Sequence, residues 1–406
     1  MDDVLRQVAR DDNLAPRDRA FARLLVVTLF RRLGQVDAVI DSFLRNPTEL
    51  KPAMARDILR LGTVQLLFLG TAPHAAVGTS VQLAGSIARG RLKGLINAVL
   101  RRVAEEGPAL LENQDPVALN LPDWLVKGWR DAYGKKQARR MALASLEPPA
   151  LDITVKTNPD FWAARLQADQ LPTQSLRRPV GGMVHELAGY PEGAWWVQDA
   201  AAALPVKLFG PVKGKRVIDL CAAPGGKAMQ LAAARANVTA LDRSESRMEA
   251  LRENIERLRL PAELVCTDLL SYSPAEEYDC VLLDAPCSAT GTLRRQPDAI
   301  HLKSRGQIDR LVGMQRRMLD KAISLARVGG LVVYCTCSLE PQEGEKQIDR
   351  LLDKRDDVEL VPVTADEFPA LVPFINDQGT LRTLPSHWAE RGGMDGFFAA
   401  RLRRIA

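Results

Sequence analysis

Residues 217–227 constrain the fold of this 406-residue chain more than any other stretch, because they read Val-Ile-Asp-Leu-Cys-Ala-Ala-Pro-Gly-Gly-Lys. A short apolar strand ends at an acid, and small residues then turn the chain into a helix. Pro224 fixes its own φ angle, while Gly225 and Gly226 let the backbone bend and approach a ligand closely. In an open α/β sheet, nucleotide-like ligands bind just past the carboxyl ends of the strands. We therefore interpret this segment as a ligand-binding turn rather than a plain strand-to-helix turn.

The second half of the sequence alternates apolar strands with helices, which is typical of a mostly parallel, doubly wound sheet. The strands are predicted at residues 216–220, 238–242, 263–266, 278–284, 330–335, 380–384 and 396–402. The helices are predicted at residues 226–235, 244–258, 308–327 and 343–352.

The first half differs, since apolar residues recur there at three-to-four spacing and predict a helical bundle. Its helices are expected at residues 19–33, 36–44, 53–69, 75–88 and 92–103, with a proline-bearing linker at 111–123. A smaller α+β segment follows, with helices at 124–133, 135–146 and 161–168 and strands at 151–156 and 195–197. We expect domain boundaries after residues 123 and 200.

Composition excludes several classes of protein. The chain is 46% hydrophobic and 26% charged, as in ordinary globular proteins, and no apolar run approaches the roughly 18 residues of a membrane span. It starts Met-Asp-Asp without a signal region, which predicts a cytoplasmic protein. Its six cysteines lack metal-binding spacing, so we expect free thiols and no metal site.

The charge balance permits an anionic partner without requiring one, because 55 Lys and Arg residues face 50 Asp and Glu residues. One basic cluster lies around a helix of the first half and contains Arg89, Arg91, Lys93, Arg101 and Arg102. We predict either phosphate contacts with RNA or a solvated helix face at this cluster.

Three acids end or follow successive predicted strands: Asp242, Asp268 and Asp284. Asp242 is placed to accept both ribose hydroxyls of a nucleoside, and Asp268 is placed to accept from an adenine amino group. The alternatives are a helix-capping role for Asp242 and an ordinary loop position for Asp268. The first turn lacks the G-x-G-x-x-G pattern, and Lys227 is not followed by the Ser or Thr of a P-loop. A ligand with ribose and adenine but no phosphate fits better, which predicts S-adenosylmethionine and disfavours a nicotinamide dehydrogenase.

Two thiols follow the ends of neighbouring predicted strands, Cys287 just after Asp284 and Cys337 after the next strand. We expect both to share one cleft with Asp284. Methyl transfer to oxygen or nitrogen needs no thiol, whereas C5 of a pyrimidine becomes nucleophilic only after a thiolate adds to C6. Asp284, near N3 of the base, would support that addition. On sequence alone either thiol fits the role of nucleophile, and Cys287 follows a proline as in the DNA cytosine enzymes.

Three segments together resemble the RNA cytosine-C5 methyltransferases: residues 219–227, residues 284–291 (Asp-Ala-Pro-Cys-Ser-Ala-Thr-Gly) and residues 336–338 (Thr-Cys-Ser). Residues 197–200 are also similar to that family. The helical half resembles the NusB-like domain of the bacterial RsmB (Sun, Fmu) subgroup in residues 17–21, 74–77 and 97–101. The resemblance therefore spans nearly the whole chain.

The resemblance implies a 16S ribosomal RNA methyltransferase that acts at a cytosine 967-type site. It implies an all-α NusB-like RNA-binding domain at 1–123, an α+β RNA-binding or linker segment at 124–200, and an α/β Rossmann-like catalytic domain at 201–406. It further implies that Cys337 attacks the base and that Cys287 assists release of the product. The implied cofactor contacts come from Cys221, Ala222, Ala223, Pro224, Gly225, Gly226, Lys227, Asp242, Asp268 and Asp284. We expect a monomer with no membrane partner; an RNA-binding assembly factor with an inactive methylase fold is disfavoured, because both thiols and all three acids are present.

The sequence departs from the family's pattern at three positions: Ala228 where Thr is usual, Gln296 where His is usual and Gly344 where Asn is common. None of these is one of the two thiols or three acids. Arg294 and Arg295 are predicted either to bind RNA phosphate or to form a solvated pair.

Overall fold

The computed structural model describes residues 2–11, 13–179, 181 and 183–406. The chain forms two compact units: the first takes in the chain up to Arg130 together with Gln296–Leu302, and the second comprises Asp131–Arg295 and Lys303–Ala406. The predicted boundary after residue 123 lies shortly before the division at Arg130, and the one after residue 200 falls inside the second unit. Among the described residues, no helix is long and apolar enough to cross a membrane.

The first unit is helical, as its apolar spacing predicts. Its helices are α1 (Asp2–Asp11), α2 (Pro16–Ser42), α3 (Ala53–Leu67), α4 (Pro73–Ala84), α5 (Lys93–Glu112), α6 (Pro116–Asn120) and the greater part of α7 (Asp123–Tyr133). Val36, Ile58 and Leu100 are buried together in its core, and they come from α2, α3 and α5 respectively.

The structure refines two predictions for this unit. The break predicted between helices at 19–33 and 36–44 corresponds to a kink in α2, where Arg32 is non-helical with φ −120° and ψ 16°. The linker predicted at 111–123 is wrong in part, because α5 continues to Glu112 and α6 lies within it. Asp115 starts α6 by accepting a hydrogen bond from the backbone N–H of Val117 at 3.0 Å.

The second unit begins with α8 (Lys135–Ser145) and a small antiparallel sheet. The sheet has the order β2-β3-β1-β4, with β1 at Leu151–Val155, β2 at Asp169–Gln170, β3 at Leu176–Arg178 and β4 at Trp195–Val197. Helix α9 (Pro159–Leu166) connects β1 to β2. Ile153, Leu176 and Trp195 are buried together beneath the sheet, which makes this segment a packed layer of the second unit.

The large sheet follows, after the short helix α10 (Leu204–Lys207). Its strands are β5 (Arg216–Leu220), β6 (Asn237–Asp242), β7 (Glu263–Cys266), β8 (Tyr278–Asp284), β9 (Ala326–Thr336), β10 (Val358–Leu360), β11 (Leu381–Thr383) and β12 (Phe397–Arg404). The helices are α11 (Gly226–Ala233), α12 (Glu245–Leu258), α13 (Ala299–Leu302, in the first unit), α14 (Arg305–Leu325) and α15 (Glu345–Lys354).

The order of the large sheet is β10-β12-β9-β8-β5-β6-β7, with β11 on β12. Strands β5 to β9 pair in parallel, and β12 pairs antiparallel to β9. Successive residues of β5 point to opposite faces of the sheet, and Val217 and Ile218 belong to different buried core clusters. Both faces of the sheet are therefore covered. The predicted doubly wound fold is confirmed, and the carboxyl ends of β5, β6, β7, β8 and β9 share one edge.

Candidate active site

The turn between β5 and α11 contains two residues in the left-handed region, Cys221 with φ 63° and Gly225 with φ 111°. A side chain at Gly225 would collide with Leu251, whose Cδ1 lies 2.3 Å from the position of a Cβ atom. The Gly225 N–H donates to the carbonyl of Ala222 at 2.8 Å, which closes the turn. Glycine is therefore required where α11 begins, and the turn exposes backbone at the sheet edge where a ligand would bind.

Asp242 ends β6 as a buried carboxylate. Its Oδ2 accepts from the N–H of Ala223 at 3.2 Å, and its Oδ1 accepts from the N–H of Ser244 at 3.0 Å. Arg247 Nη1 lies 3.5 Å from Oδ2. Since an ionised carboxylate has about four acceptor positions, capacity remains for two ribose hydroxyls.

Asp268 follows β7 and is exposed. Its Oδ1 accepts from the backbone N–H of Leu270 at 2.7 Å and caps a short 3-10 helix, which is a more specific local role than the ordinary loop position that the sequence left open. Its carboxylate still lies at the same edge of the sheet as Asp242. The placement of both acids fits a ligand that offers ribose hydroxyls and an adenine amino group.

We expect Asp242→Ala to weaken S-adenosylmethionine binding at least tenfold, because it removes two charge-assisted hydrogen bonds of about 1.5–3 kcal/mol each. Calorimetric titration of the purified variant measures this affinity. The variant should still bind RNA. An unaltered affinity for S-adenosylmethionine would show that Asp242 does not contact the cofactor.

Asp284 ends β8 and forms an ion pair with Lys227, in the first turn of α11. Lys227 Nζ lies 2.7 Å from Asp284 Oδ2 and 4.8 Å from the centre of the Phe397 ring. Burial alone would lower the pKa of Lys227, but the carboxylate of Asp284 outweighs burial and raises it. The structure thus places a fixed positive charge and a carboxylate side by side at the end of the sheet.

The two thiols lie together, with Cys287 Sγ 3.4 Å from Cys337 Sγ. Parallel pairing of β8 with β9 sets Asp284 opposite Cys335, and the loops that follow stay in register because the Gly291 N–H donates to the carbonyl of Cys337 at 3.0 Å. The hydrogen bond to Cys337 and burial raise the pKa of Cys287 well above that of an ordinary thiol. Either sulfur can donate in this contact.

The other cysteines of the sheet lie in different surroundings. Burial raises the pKa of Cys280 to about 11, and it raises the pKa values of Cys221 and Cys335 as well. Cys280 is a small buried packing group, whereas Cys335 Sγ donates to Asp284 Oδ1 at 3.7 Å and Cys221 lies in the turn before α11. All six cysteines are free, as the sequence predicts.

A buried carboxylate that the sequence analysis missed, Glu343, connects the two thiol loops. Its Oε1 accepts from the Ser288 N–H at 2.9 Å and from Gln315 Nε2 at 2.9 Å. Its Oε2 accepts from the hydroxyl of Ser338 at 2.6 Å and from the hydroxyl of Ser288. Ser288 follows Cys287 and Ser338 follows Cys337, so one side chain holds both loops. In the sequence Glu343 is indistinguishable from the neighbouring acids Glu340 and Glu345.

Arg294 and Arg295 were predicted either to bind RNA phosphate or to form a solvated pair, and the structure differs from both predictions. Arg294 is buried and donates to the carbonyl of Gly392. Arg295 donates to Asp199 Oδ2 at 2.5 Å and to Asp395 Oδ2 at 2.8 Å. Burial would raise the pKa of Asp199, but Arg295 outweighs it and lowers that pKa. These contacts make the pair structural, because their guanidinium groups are engaged inside the second unit instead of facing solvent or phosphate.

The basic cluster predicted in the first unit is exposed. Arg89 lies in a short 3-10 helix, Lys93 begins α5, and Arg101 and Arg102 lie about two turns further along α5. Arg102 Nε donates to Glu106 Oε1 at 3.0 Å. Phosphate contacts and a solvated face both remain compatible with this placement.

Comparisons with known proteins cover both halves of the chain. Residues 206–403 match the family model "16S rRNA methyltransferase RsmB/F", and residues 1–105 match the NusB family. A protein of Vibrio cholerae named ribosomal RNA small subunit methyltransferase B is 33% identical over 98% of this chain and 92% of its own length. Its Escherichia coli counterpart is 33% identical over 96% of this chain and 91% of its own length.

The chain belongs to the RsmB/F family. As a member of the RsmB/F family, it is an S-adenosylmethionine-dependent methyltransferase of small-subunit ribosomal RNA. The turn of residues 221–227 and the acids at the sheet edge fit that cofactor. Solved structures agree on the fold: PH0851 superposes with a TM-score of 0.79 at 22% identity, covering 98% of this chain and 93% of its own. NSun6 from Pyrococcus horikoshii gives a TM-score of 0.61 at 20% identity, covering 70% of this chain and 98% of its own.

Proposed function

We propose that the protein methylates C5 of a cytosine in 16S ribosomal RNA, at a 967-type site, through a covalent bond between Cys337 and C6 of the base. The observation that carries the proposal is the pair of thiols 3.4 Å apart beside the Asp284–Lys227 pair. Transfer to oxygen or nitrogen uses a lone pair and needs no such arrangement.

Cys337 is proposed as the nucleophile because residues 336–338 resemble the Thr-Cys-Ser motif whose cysteine attacks the base in the RNA cytosine-C5 methyltransferases, and Cys287 lies in contact with its sulfur. The sulfur forms a bond to C6, and the C5–C6 π electrons move onto C5 and towards N3. N3 takes up a proton from solvent, and Asp284 accepts a hydrogen bond from the resulting N3–H. The ammonium group of Lys227, held against Asp284, stabilises the electron density that the ring gains.

Residues 221–227 with Asp242 and Asp268 would hold the cofactor, which would supply an electrophilic methyl group to C5 and keep the electron pair of the broken sulfonium–carbon bond. Bonding of Cys337 to carbon removes its charge, so Cys287 can lose its proton to solvent more readily. As a thiolate, Cys287 takes the proton from C5, the C–H electron pair re-forms the C5–C6 double bond, Cys337 leaves as a thiolate, and N3 returns its proton to solvent. The two thiols therefore have separate roles.

Bisulfite sequencing of 16S ribosomal RNA from a deletion strain tests the reaction and its target together. We expect one cytosine to lose its protection in the deletion strain and to regain it when the wild-type protein is restored. If the pattern of protected cytosines were unchanged, the proposed target would be wrong.

We also propose that the helical domain at 1–123 binds RNA, that residues 124–200 assist binding and that residues 201–406 carry the catalysis. If Arg89, Lys93, Arg101 and Arg102 contact phosphates, RNA affinity should fall steeply with salt. Each alanine replacement should flatten the log–log dependence by about 0.7–0.9. Filter binding over a salt series measures this slope. Unchanged slopes would show that these residues form a solvated helix face and do not contact phosphates.

A further inference from the structure

Helix α8 has an unusual distribution of charge. Its eleven residues, Lys135–Ser145, include four cations and no acid. All four cations are exposed, at spacings that place them along one side of the helix: Lys135, Lys136, Arg139 and Arg140. We refer to these four residues as the α8 basic face. The opposite side, with Ala138, Met141 and Ala142, is buried.

Helix α8 is anchored to the loop that carries Cys337. Tyr133, just before α8, donates from its hydroxyl to the carbonyl of Leu339 at 2.6 Å, two residues after Cys337. Gln137 Nε2 donates to the hydroxyl of Ser386 at 2.7 Å. The N-terminal part of α8 is therefore held by the segment that follows the Thr-Cys-Ser motif.

A cavity of about 750 Å³ opens at the C-terminal end of the α8 basic face. Leu143, Ala144 and Pro148 line one side, and Pro385 and Ala389 line the other. The volume is within the range of pockets for small organic ligands.

One exposed guanidinium group borders the same cavity, that of Arg140 in the α8 basic face. Arg294 also lines the cavity, but it is buried and donates to the carbonyl of Gly392. Among the described residues that line the cavity, Glu147 is the one carboxylate. An apolar pocket bordered by arginine matches the way in which proteins hold unstacked RNA bases.

We propose that the α8 basic face binds backbone phosphates of the RNA strand that carries the target cytosine, and that the cavity receives an unstacked base of that strand. The inference rests on the proposed function for the identity of the strand. Charge complementarity identifies the occupant, because four exposed cations on one helix suit a phosphodiester backbone and the adjoining apolar pocket suits a base.

The phosphate interactions are tested with Lys136→Glu/Arg140→Glu and a radiolabelled 16S ribosomal RNA transcript in filter binding over a salt series. We expect affinity to fall at least tenfold at low salt, with the log–log slope flattened by about 0.7–0.9 for each phosphate that is no longer neutralised. The matched control is Lys213→Glu/Lys354→Glu, which makes the same change of charge at exposed positions before β5 and at the end of α15. Equal behaviour of the two double variants would overturn the proposal.

The cavity is tested separately with Ala144→Trp, whose ring would occupy the space. We expect KM for the transcript to rise at least fivefold, with cofactor affinity and Tm unchanged; an unchanged KM would overturn the base pocket. A wild-type protein that does not methylate the transcript would refute the proposed function. In that case the salt slopes still decide the role of the α8 basic face, because binding does not depend on turnover.

Discussion

Cys337→Ala is expected to bind both cofactor and RNA and yet to transfer no methyl group, because it lacks the thiolate that forms the bond to C6. Cys287→Ala should fail at a later stage. Without a group to take the C5 proton, the methylated base should stay bonded to Cys337. That adduct survives denaturation and is visible on a gel as protein shifted by attached RNA.

The control for the adduct is the double variant Cys287→Ala/Cys337→Ala, which should form none. Omission of S-adenosylmethionine should also prevent its accumulation. An adduct with Cys337→Ala and none with Cys287→Ala would reverse the two roles and place the nucleophile on the loop after β8.

Glu343→Ala should produce the second large effect. The change leaves the donors on Ser288, Gln315 and Ser338 without their acceptor in a buried site. At roughly 1–3 kcal/mol for each of these three unsatisfied groups, the free energy of unfolding should fall by about 3–9 kcal/mol. We expect kcat to fall at least a hundredfold, because the two thiol loops lose the group that fixes their separation; urea unfolding and initial rates measure both quantities.

The Glu343→Gln variant distinguishes the hydrogen bonds that residue 343 accepts from the effect of its negative charge. Its amide oxygen still accepts hydrogen bonds, so the fold should persist, but the negative charge that helps to raise the pKa of Cys287 is gone. Loss of that charge favours the thiolate, and the pKa of Cys287 should therefore fall. In a Cys337→Ala background, the pH profile of Cys287 alkylation should move to lower pH.

Glu359→Gln is the matched control for Glu343→Gln. Glu359 pairs with Arg403 at 2.9 Å in an exposed position on β10, away from the thiols. The Glu359→Gln variant should leave kcat and the pH profile of Cys287 alkylation unchanged. If Glu343→Gln left the alkylation profile unchanged as well, the charge of Glu343 would not contribute to the pKa of Cys287, and its role would be limited to holding the two loops.

The strands that carry the site could be predicted because each is a short apolar run that leads to a functional residue. Parallel order then requires that Asp242, Asp268 and Asp284 meet at one edge, and the structure has them at or just past the carboxyl ends of β6, β7 and β8. The expected proximity of Cys287 and Cys337 follows from the same rule. Local pattern and topology are sufficient for these features.

Features that depend on the approach of distant segments could not be predicted. Arg295 meets Asp199 and Asp395 across intervals of 96 and 100 residues, so its guanidinium gives no local sign of burial. The sequence shows the charge of the α8 basic face, but the anchoring of α8 to the loop that carries Cys337 depends on the tertiary fold.

The placement of β12 has a consequence for the order of events during synthesis. This strand lies between β9 and β10 in the sheet. Gly396, just before it, donates its N–H to the carbonyl of Gly291 at 2.9 Å, in the loop that carries Cys287. At about 5–20 residues per second, the roughly 60 residues that separate β9 from β12 take about 3–12 s to translate. During that interval β9 has one unpaired edge, which is a site for mispairing with other chains. The nascent chain therefore holds Cys337, the proposed nucleophile, in an unfinished sheet until the strand emerges, and chaperone contact at this stage would protect the proposed active site itself.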